Sequence, residues 1–132
     1  MSGQLAVLDR TLKAVAPKFR HAAANGLVWQ QERQHALTRI RANKDLVRAT
    51  ETSLASALLQ AASMGLSLNP TRDHCYLIPR KAKRNDPNSP ILAYASPSYK
   101  GLSFLAQQSG AVRWMRAEIV FQADRFIYRG PI

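Results

Sequence analysis

The chain contains a single cysteine, Cys75, and only eight acidic residues among its 132. One cysteine excludes an internal disulfide and fits a reducing cytoplasm. No run of about eighteen apolar residues occurs, so no helical membrane span is expected, and the amino terminus lacks the charged-then-apolar pattern of a secretory signal. A Gly-rich phosphate loop of the G-x-x-x-x-G-K type is missing, which argues against nucleotide hydrolysis. The acidic residues are scattered, without the Asp-x-Asp spacing of a two-metal nuclease. His74 and Cys75 are adjacent, but no second pair stands at metal-ligand spacing, and His21 and His35 stand alone. No catalytic residue, metal or cofactor is therefore expected.

What the chain has in excess is positive charge. Nineteen Lys and Arg residues leave a net charge of +11 and a pI near 10.7, the electrostatic footprint of a protein that binds a polyanion. Hydrophobic residues make up 46%, enough to bury a core, so this is no disordered basic tail. The charge is spread along the chain and not gathered on one amphipathic helix, which favours nucleic acid over a membrane surface.

Leu5, Leu8, Leu12, Val15 and Phe19 recur at helical spacing and predict an amphipathic helix from Gln4 to Ala24. Pro17 should kink or weaken its second half, and Asn25-Gly26 should stop it. A more polar helix is expected from Trp29 to Val47, carrying Arg33, Arg39, Arg41 and Lys44 and followed by Arg48. Thr52 should cap a short apolar helix, Ser53 to Met64, ended by a left-handed Gly65. Residues 74–79 and 91–95 read as paired strands joined by a basic loop at 80–90. Ser96 or Ser98 should cap a helix from Tyr99 to Gln108, closed by Gly110. Val112 to Phe121 alternates, with Met115, Ala117, Ile119 and Phe121 on one face. The turn Gln122-Ala123-Asp124 then leads to Phe126-Ile127-Tyr128, giving a second hairpin. The expected fold class is α+β: N-terminal helices, then antiparallel β-hairpins with an intervening helix. Pro131-Ile132 follows directly on a strand, an awkward end for a compact domain, so a fragment is expected.

Arg80, Lys81, Lys83 and Arg84 form the densest basic cluster. Four cations in five residues repel one another unless an anion is present, and each releases counterions on meeting a phosphate. A solvated loop tip is the plain alternative. Tyr99-Lys100-Gly101, at a helix start, is a second candidate phosphate seat. Tyr99 is equally compatible with stacking on a base and with packing in the core, as are Tyr76 and Tyr94, at least one of which should pack. Trp29 and Trp114 read as packing residues. Arg113 and Arg116 fall on opposite faces of their strand and make a weaker patch.

Four blocks then suggest a family. They are the stretch Ser53 to Pro70 (SLASALLQAASMGLSLNP), Cys75 to Pro79 (CYLIP), the helix from Tyr99-Lys100-Gly101-Leu102 to Gln108-Ser109-Gly110, and Ala117 to Phe126 (AEIVFQADRF). In this order and spacing they resemble the RecT/Redβ-type phage single-strand annealing proteins over residues from about 50 to 130, while residues 1–48 match only in helical character. The resemblance implies an ATP-independent protein of the bacterial host's cytoplasm that coats single-stranded DNA and anneals complementary strands. It implies a homo-oligomer, ring or helical filament, a companion phage 5′→3′ exonuclease, and an annealed duplex intermediate. DNA would lie in a deep basic groove with its bases turned outward. By position, Tyr99 and Lys100 match the family's Tyr-Lys-Gly element, and the loop 80–84 and Arg113 match a groove wall. Residues 1–50 would then be a helical segment for subunit contacts and part of the groove, and 51–132 a core truncated at its C-terminal end. An RNA-binding or ribosome-associated module accounts for the charge equally well. A nuclease whose carboxylates meet only in the fold and a purely structural subunit are further alternatives.

Overall fold

The computed structural model describes residues 2–116 and 118–129. Its fold class is α+β, as expected: helices first, then one antiparallel hairpin and a further helix.

Helix α1 (Ser2–Ala22) buries Leu8, Leu12, Val15 and Phe19 along one stripe. Leu5, expected on that stripe, stays 45% exposed. Pro17 does not end the helix, because the stripe is buried on both sides of it and packing outweighs one missing N–H. Asn25 and Gly26, at φ 57° and 73°, turn the chain as expected.

The second expected helix is two: α2 (Trp29–Arg41) and α3 (Lys44–Val47). Asn43 breaks it, since its side-chain oxygen accepts the Asp45 N–H at 3.0 Å and caps a new helix. Helix α4 (Glu51–Met64) starts two residues before the expected point. Its cap is Thr50, whose hydroxyl accepts from the Ser53 N–H. Gly65 ends α4 in the left-handed conformation at φ 72°, and a Cβ there would overlap the Asn25 side-chain amide.

Strands β1 (Cys75–Lys81) and β2 (Ile91–Pro97) pair with Cys75 opposite Pro97 and Lys81 opposite Ile91. One face of the hairpin turns Cys75, Leu77 and Ala93 into the core against α4. Ser53 ties the two layers by donating to the Thr50 carbonyl and accepting the Ala93 N–H at 3.0 Å. Helix α5 (Tyr99–Gln108) follows, capped by Ser98, one of the two serines expected to do so.

The second hairpin is a correction. Residues 111–129 hold no strand among those described, although the turn forms: Asp124 donates its N–H to the Phe121 carbonyl and accepts the Phe121 N–H. Every described residue there is exposed, and a two-stranded ribbon with no surface to bury against is marginal in water. Trp114, expected to pack, is 70% exposed. Ala117 and Pro131-Ile132 lie outside the described residues. No described helix is long and apolar enough to cross a membrane.

Candidate nucleic-acid interface

The hairpin places the two expected anchors at its two ends. Arg80, Lys81, Lys83 and Arg84 are all exposed where β1 leaves the sheet, and none has a carboxylate within ion-pairing distance among the described residues. Tyr99 and Lys100 lie at the opposite end, where β2 runs into α5. Six strand steps at about 3.3 Å separate the ends by roughly 20 Å.

At the tip the structure adds a residue that the sequence reading left out of the site. Arg48, which follows α3, lines a groove of 530 Å³ together with Arg80 and Lys81 and with Pro79, Pro87 and Pro90. Asp45 lines it as well. The prolines stiffen the walls, since each fixes its own φ. Nothing local in the sequence pairs position 48 with position 80; only the docking of α3 on the hairpin does.

At the other end, Ser98 fixes the start of α5. Its hydroxyl accepts the Gly101 N–H at 3.0 Å and donates to the Asp73 carbonyl, while its own N–H donates to the His74 carbonyl at 2.9 Å. Gly101 is obligatory here for close approach: a Cβ would overlap the His74 carbonyl oxygen. Tyr99 points away from the core at 71% exposure, which resolves its ambiguity against packing. Lys100 is half-exposed and reaches Asp73 at 3.8 Å, so a phosphate arriving there must compete with that carboxylate.

His74 lies beneath this corner. Its ring stacks on Phe104 at 4.7 Å, and its Nδ1 is buried with no hydrogen-bond partner among the described residues. Burial, then Arg72 and Lys100, holds its pKa below the usual 6.5 against the opposing pull of Asp73. A base with a depressed folded pKa keeps full stability above its unfolded value, and loses it as pH falls below that value and the unfolded chain takes up the proton first. The urea midpoint should therefore drop as pH is lowered from about 6.5, and His74→Phe, which preserves the ring contact, should flatten that limb. An identical limb in the variant would remove His74 as its cause. Asp9, held low chiefly by its hydrogen bond with Lys13 and also by Arg33, acts only below the ordinary carboxylate value of 3.8, a separate window.

The remaining expected residues are not gathered. Arg113 and Arg116 sit on the irregular segment, not on two faces of a strand, and Arg116 pairs with Glu118. Tyr76 and Tyr94, of which at least one was expected in the core, both stand on the outward face of the hairpin. Trp29 does pack, tilted against Phe19 at 4.8 Å. Burial lifts the Cys75 thiol to about 11, leaving it protonated and inert at neutral pH. No cluster of three or more His, Cys, Asp or Glu that could hold a metal occurs among the described residues.

Comparison with known proteins places the chain. The family model described as "RecT family" matches residues 30–131. The Escherichia coli (strain K12) protein named "Protein RecT" is 27% identical over 121 residues, covering 92% of this chain and 42% of that relative. The chain thus spans under half the length of the curated relative it matches. No solved structure matches. With the family model covering residues 30–131, all four sequence blocks among them, the chain belongs to the RecT family.

Proposed function

We propose that this chain binds single-stranded DNA through its phosphates and, within a longer protein, anneals complementary strands without ATP. The observation that carries the reading is the hairpin tip, where Arg48 shares a groove with Arg80 and Lys81, Arg84 adjoins that pair, Lys83 lies in the same exposed loop, and none of the five has a carboxylate ion pair among the described residues. Unpaired cations held close together repel one another and gain when a polyanion enters. A single strand crossing from the tip toward Lys100 would meet cations at both ends of the hairpin. Holding one strand extended lowers the ordering cost of pairing it with a second, and base pairing supplies sequence specificity. Neither nucleotide hydrolysis nor a metal enters this scheme. The companion exonuclease, the oligomer and the cytoplasmic setting belong to the same proposal, as do a role in subunit contacts for residues 1–50 and an annealing core formed by 51–132. Arg113 and Arg116 have a place in it only as outlying phosphate contacts.

The test is fluorescence anisotropy on DNA single strands, RNA and duplex of equal length, with salt as the variable. A steep, sequence-independent slope on single-stranded DNA supports the reading. Preference for RNA would favour the RNA-binding alternative, and cleavage with Mg²⁺ or Mn²⁺ would overturn the non-catalytic one. Annealing of complementary oligonucleotides without ATP, by this chain and by a C-terminally extended form, tests the second half. Lys100→Ala should weaken binding to every sequence alike and lower the salt slope by about 0.7, the value for one phosphate contact on a single strand. An unchanged slope would assign Lys100 to its Asp73 pairing alone.

A further inference from the structure

The outward face of the hairpin carries a second set of groups that the phosphate reading does not use. The register puts Tyr76, Ile78 and Arg80 of β1 on one face with Ser96, Tyr94 and Leu92 of β2. The opposite face, with Cys75, Leu77 and Ala93, is buried. Tyr76 and Tyr94 are diagonal neighbours across the strands, close enough for large rings to line one strip. They remain 37% and 44% exposed. Arg39 leans over the strip from α2, with its guanidinium carbon 5.3 Å from the centre of the Tyr76 ring. Its Nε donates to the Leu68 carbonyl, and one terminal nitrogen is buried without a partner among the described residues.

The geometry points to this strip as a base-stacking platform for single-stranded nucleic acid, with bases on Tyr76 and Tyr94 and phosphates on Arg39 and Arg80. The inference rests on the phosphate-binding reading above and names what the bases of the same strand touch. Two aromatic faces flanked by guanidiniums match alternating bases and phosphates. Charge decides between this occupant and a second copy of the chain. The strip presents two arginines and no acid, and a second copy of a +11 chain would bring like charge to it. The Arg39 guanidinium, already tied at Nε and laid against Tyr76, is oriented before a ligand arrives, which reduces the ordering cost of binding.

The experiment compares two labelled oligomers of one length and one charge, oligo-dT and a fully abasic strand, by anisotropy at fixed salt. Wild type should prefer oligo-dT. Tyr94→Leu should reduce that preference by roughly tenfold while leaving abasic affinity unchanged, Tyr76→Leu should reduce it similarly and also weaken abasic binding because it frees Arg39, and Tyr94→Phe should retain it. Far-UV circular dichroism on each variant separates lost stacking from lost fold, and Tyr94→Phe supplies the folded comparison if a leucine variant unfolds. Equal wild-type binding of the two oligomers, or an undiminished preference in both leucine variants, overturns the platform while leaving phosphate binding standing. Binding of neither oligomer overturns both readings. Concentration-dependent self-association of wild type, abolished by Tyr94→Leu and indifferent to DNA, would overturn the platform by assigning the strip to a second copy.

Discussion

Glu32→Ala should destabilise the chain by about 3 kcal/mol, seen as a lower urea midpoint at an unchanged m-value. Glu32 is only 4% exposed, which is rare for a carboxylate. It accepts two hydrogen bonds from the loop that follows α4, at 2.7 Å from the Ser67 hydroxyl and at 2.8 Å from the Leu68 N–H. That loop buries Leu66 and Leu68 completely and leads into β1. Hydrogen bonds to a charged acceptor contribute about 1.5–3 kcal/mol each, and removing the acceptor also leaves two buried donors unsatisfied. The low end of the combined range is expected, because Glu32 borders a polar cavity of 130 Å³ shared with His35, Asn69 and Arg72. Truncation enlarges that cavity, and a polar space of this size admits water that rehydrates the orphaned donors. Glu32→Gln, retaining one acceptor oxygen, should lose about half as much. A loss below about 1 kcal/mol in the alanine variant would show that the clamp is dispensable.

How much of this was legible in the sequence depends on whether a feature is local. The α1 stripe apart from Leu5, the left-handed Gly65 and, as one of two candidate serines, the Ser98 cap are set by neighbours within a turn or two, and residue pattern pointed to them. The first hairpin was legible because its alternation is matched by a basic, proline-rich loop of the right length. The α2–α3 break was missed because Asn43 acts by one side-chain hydrogen bond that competes with helical continuity, a contest that periodicity does not register. The alternation at 112–121 is real, but a strand forms only where a partner closes its ladder. Trp114, Ile119, Phe121, Phe126 and Tyr128 have none among the described residues, each being 63–77% exposed. Charge density marked residues 80–84 as an exposed cluster, whereas tertiary docking brings Arg48 beside Arg80 and Lys81 and lays Arg39 on Tyr76. Glu32 was invisible for the same reason: in a polar amphipathic helix, nothing local distinguishes a buried acid from a solvated one.

The same distinction makes Gly101→Ala the sharpest test of the corner that holds Lys100, and a loss of about 3 kcal/mol is expected, at the upper end of ordinary overpacking. A helical glycine is normally a liability, and replacing it with alanine gains up to about 1 kcal/mol. Gly3 in α1 is such a case, since a Cβ there meets nothing within 4 Å. At Gly101 the added carbon would overlap the His74 carbonyl oxygen and lie 3.2 Å from Leu66 Cδ1. The obstacle is backbone, so no side-chain rotation relieves it; α5 must move away. Movement breaks the Ser98 bonds to the His74 and Asp73 carbonyls and lifts Phe104 off the His74 ring. Three readouts should therefore change together: lower stability, faster amide exchange in α5, and a His74 pKa that rises back toward 6.5 as water reaches the ring. Binding to oligo-dT should weaken as well, because Lys100 travels with the helix. Gly3→Ala should leave α5 exchange, the direction of the His74 shift and DNA binding as they are, and should raise stability slightly if it changes it at all. If Gly101→Ala keeps α5 protected and the His74 pKa low, the close approach is not what holds this corner, and Lys100 is positioned by its pairing with Asp73 instead.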